Sequence, residues 1–294
     1  MALETTDASA AGAVTLSGDL QVHRLGFGAM RLTGPGIWGP PSDPDQARAV
    51  LRRAVELGVN FIDTADSYGP GVSEELIADA LHPYPGGLVI ATKGGLTRSG
   101  PGQWERDGRP EHLRRACEDS MQRLRVERID LYQLHAVDPD VPFVDSVSAL
   151  AELRDEGKVA HIGLSNLGLD ELQRAREIVP VVSVQNRYSL ADRDSDPVVE
   201  RCERDGIAFI PWFPLAAGRI GSGGTAGRDR LGRALSRVAE AHDATAFQVA
   251  LAWLLGRSPA MLTIPGTSSV DHLEENVAAA GLRLSQEEVD ALNP

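Results

Sequence analysis

Apolar positions along this chain fall into short unbroken runs separated by longer amphipathic stretches. Eight runs read as strands: 25–30 (LGFGAM), 59–63 (VNFID), 88–93 (LVIATK), 129–135 (IDLYQLH), 159–166 (VAHIGLSN), 181–186 (VVSVQN), 207–212 (IAFIPW) and 261–265 (MLTIP). Strands this apolar need cover on both faces, which suits a parallel sheet. Between them the period becomes helical. Over 45–57, Ala47, Val50, Leu51, Ala54 and Val55 form one face, and Gly58 stops the helix. Ser73 reads as an N-cap, with Glu74 and Glu75 in the first turn. Pro110 opens a helix whose apolar face is Leu113, Ala116, Cys117, Ser120, Met121 and Leu124. Further helices are expected at 142–156, 170–178, 197–205, 229–242, 246–256 and, last, 271–280.

Before this alternation, residues 1–12 read as a frayed tail, and 14–25 (VTLSGDLQVHRL) as a hairpin turning at Ser17-Gly18-Asp19. Eight strand–helix units leave two architectures, a doubly wound sheet or a closed (β/α)8 TIM barrel. The first wants a glycine fingerprint after its first strand, but Arg31 holds the third glycine position after Gly26 and Gly28. The expectation is therefore a barrel with a short N-terminal hairpin, in a single domain over 1–294. The loops 94–109 and 218–229 are long enough to be lids.

Charge narrows the partners. With 29 basic against 42 acidic residues, the net charge of -13 argues against nucleic acid and anionic membranes. No apolar run is long enough to span a bilayer. The acidic N-terminal stretch lacks the basic start of a secretory signal. Cys117 and Cys202, far apart, make no disulfide framework, so a reducing cytoplasm is the expected setting.

Polar residues gather at the carboxyl ends of the runs: Asp63 with Tyr68 beyond it, Lys93, His135, Ser165-Asn166, Gln185-Asn186 and Trp212. In a (β/α)8 barrel those ends share one mouth. Singly, Asp63 is an ordinary strand-end cap, Tyr68 a packing residue, Lys93 a solvated charge and His135 a core histidine. As a set on successive units they point to one site. Asp66 is expected to be structural. Near matches fall away: GLSNLG has Leu167 at the second glycine of a nucleophile elbow, and DHLEE has one histidine, so no metal is expected. His82, His112, His161 and His242 read as structural or exposed.

The motifs LGFGAMRL, NFIDTADSYG, ATKGG, DLYQLH, IGLSN, VQNRYS, PWFPLA and IPGTSSVDHLEENVAAA cover roughly residues 20–285. In kind and order they resemble the aldo-keto reductase superfamily, and GAMRLTGPGIWGPP further resembles its bacterial pyridoxal reductase branch. The resemblance implies a catalytic tetrad of Asp63, Tyr68, Lys93 and His135, and reduction of a small aldehyde or ketone, pyridoxal among them. Elementary chemistry agrees. No side chain supplies a hydride, so a nicotinamide must. A phenol with a pKa of about 10 is a poor acid at neutral pH, and a nearby ammonium is expected to lower it. Lys93 would do so for Tyr68, Asp63 would keep Lys93 charged, and His135 would donate to the substrate oxygen. The alternative from another class is a cofactor-binding redox sensor with little turnover.

Cofactor contacts follow from the same resemblance. Ser165, Asn166 and Gln185 would bind the nicotinamide amide, and Trp212, where many relatives have tyrosine, would stack on the ring. Leu215, Ala217, Gly218 and Arg219 would run along the pyrophosphate, with Gly28, Ala29 and Met30 on the ribose side. Gly266, Thr267, Ser268, Ser269, His272, Glu275 and Asn276 would meet the 2′-phosphate and adenine at a helix N-terminus. Gly266 and His272 stand where lysine and arginine are common, which weakens discrimination for a 2′-phosphate. Arg219 either compensates or is a solvated loop residue. NADPH is the expected cofactor and NADH the alternative, with Gly266→Lys expected to favour NADPH. Specificity is expected in segments 31–41, 94–109 and the loop after His135. Trp38 and Trp104 either line the mouth or pack the loops.

Overall fold

The structure, a computed structural model, describes residues 7–18, 20–214 and 230–293. An antiparallel hairpin, β1 (Ala13–Ser17) and β2 (Leu20–His23), precedes the main sheet. Seven parallel strands follow: β3 (Phe27–Gly28), β4 (Phe61–Asp63), β5 (Val89–Gly94), β8 (Ile129–Leu134), β9 (Val159–Ser165), β10 (Val181–Arg187) and β11 (Ala208–Trp212), each beside the last. The run at 261–265, expected as an eighth full strand, is reduced to single bridges. Met261 pairs with Phe209 on β11, and Thr263 pairs with Leu25 just before β3. Main-chain bonds Leu262 N→Phe209 O (2.9 Å) and Gly26 N→Thr263 O (2.8 Å) close the sheet on itself. The result is a (β/α)8 barrel with an N-terminal hairpin.

Strand parity sorts the side chains. Phe61, Val89, Ala91, Leu131, Ala208 and Ile210 pack together inside with Leu262 and Ile264. Leu16 and Val22 of the hairpin join this cluster and stopper its amino end. Two positions further along the same faces stand Asp63, Lys93 and Gln133, so an apolar floor gives way to a polar top. The intervening residues, such as Ile62, Tyr132, Leu164 and Phe209, turn outward into the layer of helices.

Those helices follow the amphipathic stretches. They are α1 (Pro44–Glu56), α2 (Val72–Leu81), α3 (Pro110–Leu124), α4 (Phe143–Asp155), α5 (Leu169–Arg176), α6 (Asp196–Asp205), α7 (Arg230–Ala241), α8 (Ala246–Arg257) and α9 (Val270–Ala278). Four expectations change. Gly71, not Ser73, precedes α2. Ser73 lies inside the helix, accepting from Thr64 Oγ1 (2.8 Å) and donating to Ala29 O (3.4 Å). Asp7 to Gly12, expected in the tail, are packed down. Ala8 is buried, and its amide bonds Leu57 O at 2.9 Å. A further helix, α10 (Gln286–Leu292), follows the one expected last, started by a capping box between Ser285 and Glu288. Finally, the long loop 94–109 contains an antiparallel hairpin, β6 (Leu96–Gly100) and β7 (Gln103–Arg106). Among the described residues no helix is long and apolar enough to cross a membrane.

Candidate active site

The polar top of the barrel holds the four residues together. Lys93, fully buried on β5, has an acceptor for each ammonium hydrogen: Asp63 Oδ1 at 2.6 Å, Thr64 O at 2.8 Å and Tyr68 Oη at 3.5 Å. The other oxygen of Asp63 accepts from Gln185 Nε2 (2.8 Å) and Gln133 Nε2 (3.1 Å). A buried ion pair is tolerable only with its remaining lone pairs satisfied, and here they are. Gln133 was not singled out from the sequence. Its signal is parity, since it shares the inward face of β8 with Leu131. Gln185, expected at the nicotinamide, instead spends its Nε2 on Asp63.

Tyr68 sits on the turn after β4, its amide bonded to Ala65 O at 3.2 Å. Its ring meets that of His135 edge to face, centroids 5.8 Å apart. Burial pushes the Tyr68 phenol above its ordinary pKa, and Lys93, pulling the other way, does not overcome it. The expected net lowering is therefore absent, and the phenol rests protonated. Burial alone would lower the Lys93 ammonium, but Asp63 and Tyr68 outweigh it and hold the pKa above the lysine norm. Burial, then the charge of Lys93, holds His135 far below the usual histidine value, so its imidazole is neutral.

The β6–β7 hairpin walls this mouth. Trp104 on β7 meets Tyr68 at 6.4 Å and His135 at 6.3 Å, both edge to face, so it lines the site. Behind it the Arg98 guanidinium lies 3.7 Å over the Trp104 ring and 5.9 Å from that of Trp38. All five Arg98 donors go to main-chain carbonyls: Gln103, Ile37, Ser67, Gly36 and Gly100. The segment expected as a lid is thus strapped to the 34–40 loop and to the residue before Tyr68.

On the far side of the mouth, Asn166 adopts a left-handed backbone (φ 58°) and presents its side chain at the surface. Its Nδ2 donates to His135 O (2.9 Å) and Ser165 Oγ (3.0 Å), and its Oδ1 accepts from Trp212 Nε1 (2.9 Å). Ser165 Oγ donates to Gln185 O at 2.8 Å. What this corner has left is acceptor capacity, on Asn166 Oδ1 and Gln185 Oε1, which suits the two N–H groups of a carboxamide. Across the seam, Gly28 pairs with Asp63 in register, and the 3₁₀ turn Ala29–Leu32 carries Ala29 and Met30. Ser269 caps α9, accepting from His272 N at 3.4 Å, and Thr267 Oγ1 accepts from Ser269 N at 3.1 Å. Ser268 and His272 are exposed, while Asn276 is buried. Hydroxyls and amides at a helix start suit a phosphate. Glu275 is engaged elsewhere, accepting from Thr245 Oγ1 at 2.6 Å.

Gly266 has a structural reason to be glycine. A Cβ there would stand 2.3 Å from the main-chain oxygen of Gly28, and one on Gly28 would stand 2.7 Å from Ile264 O. The expected Gly266→Lys exchange would therefore force the seam apart before its ammonium reached any phosphate. Leu215, Ala217, Gly218, Arg219 and the 218–229 loop lie outside the described residues. Among the described residues no cluster of His, Cys, Asp or Glu could hold a metal ion. Burial pushes the thiols of Cys117 and Cys202 up to about 12, so neither is a ready nucleophile.

Residues 24–293 match the aldo/keto reductase family. The chain belongs to that family. Two relatives of this aldo/keto reductase align over nearly its whole length. An uncharacterized oxidoreductase of Schizosaccharomyces pombe is 52% identical over 286 residues, covering 97% of this chain and 90% of the relative. Pyridoxine 4-dehydrogenase of Escherichia coli is 44% identical over 282 residues, covering 94% and 96%. Among solved structures, an aldo-keto reductase from Klebsiella pneumoniae in complex with NADPH superposes with a TM-score of 0.76 at 29% identity, covering 92% of this chain and 90% of that one.

Proposed function

We propose that this aldo/keto reductase reduces an aldehyde to an alcohol with NADPH, Tyr68 giving the proton. The observation that carries the reading is the chain Asp63–Lys93–Tyr68, with the His135 ring edge to face with the phenol. Gln185 Oε1, Asn166 and Ser165 would hold the nicotinamide amide, Trp212 its ring, Gly28, Ala29 and Met30 the ribose side, and Thr267, Ser268, Ser269 and His272 the adenosine end. Bound there, the cofactor supplies the hydride that the carbonyl carbon takes up. The neutral imidazole of His135 donates to the carbonyl oxygen and orients it. Tyr68 delivers its proton to that oxygen, so carbon gains a hydride, oxygen a proton, and the product is an alcohol. The phenolate left behind is stabilised by Lys93, whose charge Asp63 maintains. A phenol held protonated by burial is in the right state to act as the acid. NADPH is favoured over NADH by the complex of the Klebsiella relative.

Pyridoxal is the substrate to try first. The Escherichia coli relative is named for dehydrogenating pyridoxine at position 4, and the reverse of an alcohol dehydrogenation is an aldehyde reduction. Trp104 offers such a flat ring an aromatic wall. The test is Tyr68→Phe on a panel of aldehydes that includes pyridoxal, with NADPH and NADH run in parallel. Turnover is expected to fall at least about 100-fold while nucleotide affinity, read by fluorescence titration, stays within about twofold. Phenylalanine at full wild-type rate would remove Tyr68 as the acid. Tight nucleotide binding with no turnover by the wild type would favour the sensor instead.

A further inference from the structure

The hydrogen bond that His135 is asked to give poses a problem of tautomers. A neutral imidazole carries one proton, and the nitrogen that lacks it can only accept. To donate toward the mouth, His135 must keep its proton on Nε2, so something must favour a bare Nδ1. Lys93 and Tyr68 do not do this, because neither bonds the ring. Tyr68 and Trp104 flank the ring edge to face, and Asn166 bonds the His135 main-chain oxygen.

The group that faces Nδ1 is Ser67. Its Oγ lies 3.4 Å from His135 Nδ1, in surroundings where Ser67 is 2% exposed and His135 7%. A hydroxyl turns freely and can give or accept. If Ser67 gives, Nδ1 is the acceptor and the proton stays on Nε2. If it accepts, Nδ1 carries the proton and Nε2 faces the mouth as a lone pair. What lies behind Ser67 tips the choice. The Asp66 carboxyl adjoins the Ser67 amide and hydroxyl, and an ionised carboxylate would claim the serine proton for itself. Burial, reinforced by Glu74 and opposed by Arg123, pushes Asp66 well above the ordinary carboxyl pKa, which weakens its claim on the serine proton. The hydroxyl that lies within reach of His135 Nδ1 is then free to turn toward it.

We propose that Ser67 is a positioning residue whose hydroxyl donates to His135 Nδ1 and thereby keeps the Nε2 proton directed at the substrate oxygen. This rests on the reading of His135 as the donor to that oxygen. Ser67, buried behind the ring, acts only through the imidazole.

The test is a set of three variants of the full chain, Ser67→Ala, Ser67→Thr and Ser67→Val, read by nitrogen-15 NMR of labelled histidine and by steady-state kinetics. Threonine keeps the hydroxyl, and valine keeps threonine's shape without it. In the wild type and Ser67→Thr, Nε2 is expected to bear the proton and Nδ1 to be bare. In Ser67→Ala and Ser67→Val, His135 should become a mixture of tautomers, with kcat down about 10-fold and KM changed less than about twofold. His135→Gln identifies the resonance. Wild-type His135 with its proton on Nδ1 would overturn the proposal, as would a hydroxyl-free variant with wild-type tautomer or wild-type kcat. The NMR reading needs no turnover. Failure of the reductase assignment would appear as an inactive wild type, whereas failure of this proposal leaves an active enzyme indifferent to Ser67.

Discussion

At the scale of residues, one site joins two carboxylates that the sequence presents almost side by side. Asp63 is ringed by a lysine and two glutamines and keeps Lys93 charged. Asp66, three positions on, has an Oδ1 closed to solvent and without a partner. Nearby Glu74 is fully buried but satisfied by Thr92 Oγ1 (2.5 Å) and Arg123 Nε (2.6 Å). The groups around Asp66 are thus Glu74 on α2, Arg123 on α3, Tyr132 on β8, and Tyr68 with Lys93 at the mouth. Since the folded pKa of Asp66 is raised, the native state holds a proton that the unfolded chain loses above about pH 4. Stability must therefore fall as pH rises from there to the folded pKa. Asp66→Asn cannot titrate and escapes that loss. In urea unfolding, the variant is expected to gain on the wild type between pH 4 and pH 7 by about 1 kcal/mol or more. A gap that stays constant with pH would mean that Asp66 is ionised in the fold.

At the scale of elements, the β6–β7 hairpin is the part that periodicity could not foresee. Its sequence is rich in glycine and charge, and what orders it is Arg98, whose five acceptors lie in three separate segments. A methionine at 98 keeps much of the bulk and loses every donor. Arg98→Met is expected to speed hydrogen exchange over 96–106 while the barrel strands stay protected, and to raise the aldehyde KM about 10-fold with a smaller effect on kcat. Unchanged exchange in the hairpin would show that Trp104 holds itself. The same contrast explains what was legible in the chain. The strands, as unbroken apolar runs, and the faces of α1 and α3, at a period of 3.6, are local patterns. The capping box of α10 is local too, set by Ser285 and Glu288 three residues apart. The ring of amides on Asp63, the Gly28–Gly266 contact and the Arg98 strap are long-range. No window of sequence contains both partners. The four residues could still be grouped because each sits at the end of a recognisable strand or just beyond one, whereas the resting protonation of Tyr68 depends on how far burial outweighs Lys93.

At the scale of the whole molecule, the barrel depends on joining its two ends of chain. The pairing at 261–265 is thin, so side chains must help hold the seam. Arg24, just before β3, donates through Nε to Met261 O (3.1 Å) and through Nη2 to Leu255 O and Ser258 O (both 2.5 Å). Its own carbonyl accepts from Thr263 N at 2.8 Å. The guanidinium therefore links the strand entry to the last turn of α8, where a cation also complements the helix dipole. These contacts span 231 to 237 residues of sequence. Contacts that close so long a loop bear the largest ordering entropy and are the natural ones to form last. Arg24→Met leaves three carbonyls short of a donor and is expected to cost about 2 kcal/mol at equilibrium. For a seam that forms after the rate-limiting step, that loss should emerge as faster unfolding, with the refolding rate changed less than about twofold. Stopped-flow urea jumps in both directions separate the two. Slower refolding with unchanged unfolding would mean that the ends meet early and that the barrel is built outward from its seam.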